Sequence, residues 1–409
     1  MTTPVSRRQL LLVTGGAAAA VLAATRLPAA AATTAPVRSG GDVVLAWNRE
    51  LLAIVRTAGL QPATVHPTRS FALLHAAIHD AVVATTGIGR PYLFTVEVSH
   101  PASAEAAAAQ AGHDVLAALY PTRTADFDAL LTGQLGAVRS AAERDAGVRA
   151  GRLVARLLLG LRAGDGSAAV PPVLPPGTAP GQYRPTPPAF AAAVFTHWPA
   201  VTPFVLDRAD RFRPGPYPAL TGALGEVEAY GRDVSTTRTA DQTEQARFWA
   251  APIWNYWNEI TQSVVAGSRS NLVVAARVFA RLNLAFADAV IAFYEAKYHY
   301  RIWRPITAIR LTVPDWSSLA VTPADPSYPG AHSVISRAGA LVLRQEYGPN
   351  RPLTVTSEAL PGVVRRFGSF ADVASEAGLS RIFAGVHTRI DHEAGQQLGL
   401  DVAGFVLRS

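Results

Sequence analysis

Apolar positions recur with helical spacing along most of this chain. Leu45, Asn48, Leu52 and Val55 form one stripe, and Ala72, His75, Ala76, His79 and Val83 another, as residues three and four apart do on a helix. Ala102 to Tyr120, almost free of β-branched residues, and Phe127 to Leu161 predict further helices. No stretch of 43–165 alternates apolar and polar residues as a half-buried strand would. Asn271 to Ala296 predicts a long helix that Pro305 brings to an end. Helical patterns start again at about 221 and run, with breaks, to Leu407. The expected fold is all-α: antiparallel helices in one large domain over 43–409, with an N-terminal half (43–165) and a C-terminal half (221–409). Between the halves lies a Pro-rich loop, 166–220. Residues 171–218 hold 13 of the 30 prolines, which no helix or sheet can run through. Its aromatic residues, among them Tyr183, Phe195, Trp198 and Phe204, predict a loop packed on the protein rather than a free tether.

Composition narrows the class. Of 409 residues, 49% are hydrophobic and only 16% charged, which excludes a disordered chain. The absence of cysteine excludes disulfides, thiolate chemistry and iron–sulfur ligation, so any metal must be held by His, Asp or Glu. Ser6-Arg7-Arg8-Gln9-Leu10-Leu11 sets two arginines before an apolar Ala/Gly-rich run that is short for a membrane span, and Ala29 to Ala32 offer the small residues of a cleavage site. Residues 1–32 therefore read as a twin-arginine signal peptide, and the protein as secreted. Removing Arg7, Arg8 and Arg26 lowers the net charge from +7 to +4. No block of Lys/Arg remains, which argues against a nucleic-acid partner. No stable membrane span is expected in the mature chain, and a homo-oligomer is compatible with the sequence.

Three segments of the C-terminal half carry chemistry. In Lys297-Tyr-His-Tyr-Arg-Ile-Trp-Arg304-Pro305, the two cations are seven residues apart, nearly two helical turns, so on a helix both could leave one face and clamp an oxyanion. In Pro326-Ser-Tyr-Pro329-Gly330-Ala331-His332-Ser333, a turn precedes a helix whose first backbone N–H groups favour anions, with His332 placed to trade protons. In Ser380-Arg381-Ile-Phe-Ala-Gly385-Val-His387-Thr-Arg-Ile-Asp391, Arg381 and His387 converge only if the chain turns at Gly385, and Asp391 can fix the His387 tautomer.

Together these blocks resemble the superfamily of vanadium-dependent haloperoxidases and type-2 phosphatidic acid phosphatases. Its pattern is Lys, six residues, Arg-Pro; then Pro-Ser-Gly-His; then Ser-Arg, three residues, Gly, one residue, His, three residues, Asp. Segments 71–80 (Phe-Ala-Leu-Leu-His-Ala-Ala-Ile-His-Asp) and 241–249 (Asp-Gln-Thr-Glu-Gln-Ala-Arg-Phe-Trp) look like those of bacterial haloperoxidase-like proteins. The resemblance implies that Lys297, Arg304, Arg381, Gly330 and Ala331 bind vanadate, or phosphate in the phosphatases. It makes His387 the axial vanadium ligand or the phosphoryl-accepting nucleophile, His332 the acid–base group and Asp391 the partner that orients His387. The activity it implies is an exported haloperoxidase that uses hydrogen peroxide and halide. The alternative is an exported acid phosphatase acting on a small phosphoester. The second block departs from the pattern: Gly330-Ala331 stand where the family has Ser-Gly, so the serine hydroxyl donor is missing. A backbone N–H of Gly330 or Ala331, or the hydroxyl of Ser327 or Ser333, would have to replace it. A non-catalytic oxyanion-binding protein is therefore the third reading.

Outside these blocks, His75 and His79 have metal-ligand spacing, but the intervening Glu of the zinc-protease signature is absent, so they read as buried helix positions with satisfied hydrogen bonds. Tyr298, His299, Tyr300 and Trp303 read as core or as the lining of a halide or substrate pocket.

Overall fold

A computed structural model describes residues 41–98, 101–218 and 222–409; the candidate export segment 1–32 lies outside the described residues. At the centre runs α9 (Leu272–Tyr300), capped by Asn271, whose side chain accepts from Val274 N at 3.0 Å. Its residues are apolar nearly all the way round, and a helix of that kind belongs inside. It packs against α1 (Gly41–Arg56), α2 (Pro67–Thr86), α8 (Ile253–Gly267), α11 (Ala331–Tyr347) and α13 (Arg389–Arg408). On the N-terminal side, α3 (Ala104–Leu119) lies between α2 and α5 (Ala141–Arg162). The α3–α5 approach is close enough that a Cβ on Gly151 would stand 2.3 Å from the Ala107 carbonyl oxygen. On the C-terminal side, α11 packs on α13 and on α12 (Phe370–Phe383).

The helical expectation holds, with two local differences. Phe127 to Leu161 is two helices, α4 (Thr124–Gly136) and α5, because the Ser140 hydroxyl accepts from Glu143 N and starts a new helix. A two-stranded antiparallel hairpin, β1 (Leu353–Thr356) and β2 (Val364–Phe367), pairs Leu353 with Phe367 and Thr356 with Val364. Strands of four residues are too short for their alternation to stand out in a sequence.

The Pro-rich loop is packed down, as its aromatics predicted. Trp198, Phe204 and Tyr183 are buried. Asp288, inside α9, accepts the backbone N–H groups of Phe204, Val205 and Leu206 at 2.6, 2.8 and 2.7 Å. A loop without a ladder of its own must place its buried donors somewhere, and a buried carboxylate is a strong acceptor. Burial pushes the Asp288 carboxyl up to about 6, against the pull of these three donors.

Two fully buried histidines of the N-terminal half, His66 and His75, are held by burial at about 3. Free in the unfolded chain they titrate near 6.5. Their depressed folded values mean that the unfolded state binds more protons below pH 6.5, so stability is complete above that pH and drains away as pH falls toward 3. Urea unfolding should therefore lose up to about 1.4 kcal/mol per pH unit for each histidine below 6.5. An unfolding midpoint that stays level between pH 7 and pH 4 would contradict this burial.

Candidate oxyanion site

Lys297 and Arg304 come together, but not on one helix face. α9 stops at Tyr300 because Arg301 adopts a left-handed conformation (φ 51°, ψ 44°), with its N–H bonded to Lys297 O at 2.8 Å. The break thus precedes Pro305, which instead occupies the first turn of α10 (Pro305–Ile309), with Arg304 as its N-cap. Between them Ile302 bridges to Gln182, and Trp303 N donates to Gly181 O at 2.9 Å.

What joins the two cations is Asp325, a residue the sequence patterns did not single out. Lys297 Nζ lies 3.0 Å from Asp325 Oδ2 and donates to the carbonyls of Pro326 and Ser327. Arg304 donates from Nη2 to Asp325 Oδ1, from Nε to Asp325 O (2.7 Å), and from Nη1 to Val386 O (2.9 Å) and His387 Nε2 (3.2 Å). All three side chains are buried. Burial alone would raise the Asp325 carboxyl, but Lys297 and Arg304 outweigh it and hold it at about 2. Burial draws Lys297 down to about 8 against the attraction of Asp325, so both partners are charged at neutral pH. A lone aspartate in a proline-rich turn has no spacing to betray it.

The third block folds as its glycine predicted. α12 ends at Phe383, and Gly385 turns the chain at φ 80°; a Cβ there would meet Gly231 O at 2.3 Å. Arg381 and His387 are thereby both buried at the site. Among the described residues Arg381 has no carboxylate in ion-pair contact, and its Nη1 is buried without a hydrogen-bond partner. Burial, and then the charge of Arg304, lower it to about 10.

His387 precedes α13, and Asp391 closes that helix's capping box with Thr388: Thr388 N donates to Asp391 Oδ2 at 2.7 Å, and Asp391 N to Thr388 Oγ1 at 3.2 Å. The His387 Nδ1–Asp391 Oδ2 separation is a long 3.4 Å. Ser327 Oγ supports it, donating to Asp391 Oδ2 at 2.7 Å and lying 3.4 Å from His387 Nδ1. With acceptors on its Nδ1 side and an Arg304 donor on its Nε2 side, we assign the His387 proton to Nδ1 and a lone pair to Nε2. Burial, then Arg304, depress it to about 3, so the ring is neutral.

The second block needs a correction. Gly330 is the N-cap of α11 and offers no side chain, and its N–H is already given to Asp391 O at 2.9 Å. Ser333 Oγ bonds His392 Nδ1 at 2.9 Å, and Ser327 Oγ serves Asp391. The Gly330 N–H and the Ser327 hydroxyl are thus engaged elsewhere, while Ser333 Oγ lies 3.6 Å from where a Cβ on Gly330 would stand. What remains is the first turn of α11, beginning at Ala331, with its N–H groups and the positive end of the helix dipole. His332 sits in that turn, half-buried, with Nε2 2.9 Å from Trp249 O. That carbonyl requires a proton on Nε2 and leaves Nδ1 as a base. Burial, then the charge of Arg381, drive His332 well below its usual range, so it too is neutral. Trp249 directly follows α7 (Ala240–Phe248) and is fixed by its indole N–H on Glu376 at 3.0 Å.

The remaining candidates make other contacts. His75 Nε2 bonds Asn48 Oδ1 at 2.9 Å and His79 Nε2 bonds Arg90 O at 3.0 Å, while the Nδ1 atom of each is buried without a partner. Their hydrogen bonding is thus only half satisfied. Among the described residues, no group of three or more His, Asp or Glu could hold a metal ion. Tyr298 and Tyr300 donate to the carbonyls of Val194 and Pro214, tying down the Pro-rich loop, and Trp303 is buried while His299 is exposed.

The family model of the VCPO second helical-bundle domain matches residues 277–409, which contain every block above. The vanadium chloroperoxidase of Curvularia inaequalis is 26% identical over a match that covers 43% of this chain and 40% of that protein's length. The crystal structure of a bacterial vanadium-dependent iodoperoxidase superposes with a TM-score of 0.78 at 25% identity, covering 90% of this chain and 95% of the other. A bacterial vanadium-dependent chloroperoxidase shares the fold, with a TM-score of 0.67 at 15% identity over 92% and 94% of the two chains.

A buried guanidinium without a counter-ion is an unfavourable arrangement that an anion relieves. Arg381→Met should therefore leave the ligand-free protein as stable as the wild type, or more so, while weakening phosphate or vanadate binding by about 10- to 100-fold, the equivalent of one charge-assisted hydrogen bond. Thermal melting with and without the anion checks both halves. Loss of stability with binding intact would remove Arg381 from the site.

Proposed function

We propose that this chain, which belongs to the vanadium haloperoxidase superfamily, is an exported vanadate-dependent haloperoxidase that oxidises halide with hydrogen peroxide. The observation that carries the reading is a buried Arg381 whose Nη1 has no hydrogen-bond partner, in one buried cluster with a neutral His387 whose Nε2 lone pair meets only an Arg304 donor. The residues present fit an oxyanion with a covalent bond to imidazole: His387 Nε2 would bind the central atom, and Arg381, Arg304, Lys297 and the α11 N-terminus would face its oxygens. Bound vanadate supplies the Lewis acidity that makes hydrogen peroxide reactive toward halide. The chain's own residues do the rest. Ser327 and Asp391 keep the His387 proton on Nδ1. His332 Nδ1, turned to its task by the Trp249 carbonyl, accepts a proton from the incoming peroxide.

The same neutral Nε2 favours a second reading, an acid phosphatase that passes through a phosphohistidine, because phosphate and vanadate share charge and shape. Without the serine hydroxyl, binding without turnover is the third. Purified protein assayed side by side, with orthovanadate for bromide oxidation and without it for phosphomonoester hydrolysis, separates them. Bromination alone supports the haloperoxidase, hydrolysis alone the phosphatase, and binding with neither the inactive site. His387→Ala should abolish whichever turnover is found and leave the far-UV circular dichroism intact; near-normal activity in this variant would refute the site.

Export is part of the proposal and rests on Arg7-Arg8 and the apolar run behind them. Arg7→Lys with Arg8→Lys should keep the protein in the cytoplasm, read by fractionation. Normal export of the double variant would leave the twin-arginine route without support.

A further inference from the structure

Lys297 has three N–H donors, and all three are engaged, by Asp325 Oδ2, Pro326 O and Ser327 O. Of the five donors of Arg304, four are engaged, by the Asp325 carbonyl and carboxylate, Val386 O and His387 Nε2. Two of the three cations assigned to the oxyanion are thus already satisfied by the protein, and the group that satisfies the charge of both is the Asp325 carboxylate. Arg381 is the contrast, equally buried and with Nη1 unanswered.

We propose that Asp325 is a built-in anion that occupies the Lys297–Arg304 half of the cage and competes with the ligand. A ligand enters on Arg381 and the first turn of α11. It gains Lys297 and Arg304 only by displacing a carboxylate from them. The site is therefore selective for tetrahedral oxyanions that carry more than one negative charge, such as phosphate or vanadate. A monoanion such as nitrate cannot displace the carboxylate and sees Arg381 alone. This inference rests on the reading of the cage as an oxyanion site, and it concerns occupancy, not turnover.

The test is equilibrium binding of inorganic phosphate and orthovanadate, by titration calorimetry, to the wild type, to Asp325→Asn, and to Asp325→Asn with Lys297→Met. Asp325→Asn should bind both anions about 10- to 100-fold more tightly, because charge-assisted bonds to Lys297 and Arg304 become available. The double variant should fall between the two, keeping the freed Arg304 and losing the freed Lys297. Without ligand, Asp325→Asn should melt below the wild type, since two buried cations lose their counter-charge, and phosphate should raise its melting temperature more than it raises that of the wild type. If the single variant does not fold, the double variant, which removes one charge of each sign, still binds more tightly than the wild type. Unchanged or weaker binding in folded variants would overturn the inference and make Asp325 a positioning residue for the two cations. Absence of phosphate and vanadate binding in every protein, wild type included, would instead overturn the oxyanion reading on which the inference stands.

Discussion

Lys297, Arg304 and Arg381 are buried together with one carboxylate, Asp325, shared between two of them. Taking three positive charges out of water is costly unless geometry and hydrogen bonding compensate, and the local backbone is shaped to do so. The carbonyls of Asp325, Pro326, Ser327 and Val386 all point at Lys297 or Arg304. Each of those carbonyls sits in a turn rather than in a helix, where its oxygen would belong to the ladder. The breaks in the helices around the site, at Arg301, before Ala331 and at Gly385, are what free the oxygens for this use.

Such breaks must be held in place, and the Pro-rich loop holds the first of them. Tyr183 N donates to Arg301 O at 2.7 Å, and Trp303 N donates to Gly181 O at 2.9 Å, so the loop runs beside the segment that carries Arg304 to the site. Its other end is pinned by Asp288, on the same helix that delivers Lys297. A segment with few ladder hydrogen bonds of its own is thus fixed at both ends to α9 and its continuation. Proline suits the role, because it lowers the number of backbone donors that need a partner and restricts the unfolded chain.

The sequence made the helices legible wherever apolar residues repeat at helical spacing, as in α2 and α9, and it made Lys297, Arg304, Arg381, His332 and His387 legible through the order of three short blocks. It did not reveal how those blocks meet. The seven-residue spacing of Lys297 and Arg304 suggested a shared helix face, whereas a left-handed residue between them and an aspartate from another segment do the joining. Asp325, the Ser327 link to Asp391, and the capture of the Gly330 N–H by Asp391 O are contacts between segments roughly 20 to 60 residues apart. Periodicity reports which face of an element is buried, not which distant carboxylate will face it. The split between α4 and α5 was missed for a plainer reason: Ser140 is one polar residue in a helix-forming run, and its capping bond is visible only in three dimensions.

Both histidines at the site are neutral for the same reason, burial beside arginine, yet they expose opposite nitrogens. His387 carries its lone pair on Nε2, toward Arg304 Nη1, because Ser327 and Asp391 stand on its Nδ1 side, and His332 carries its lone pair on Nδ1 because Trp249 O accepts from its Nε2. The positive field that depresses them comes from Arg304 at His387 and from Arg381 at His332. An anion seated on Arg381, as the proposed function requires, would cancel part of that field and bring a negative charge of its own close to His332. The affinity of His332 for a proton would then rise on binding, because the neighbour that opposed its charge would be neutralised. Linkage makes the effect reciprocal, so a protonated His332 holds the anion more firmly than a neutral one. His332 is therefore a base at neutral pH, and an anion beside Arg381 would make it a base better able to keep the proton it takes.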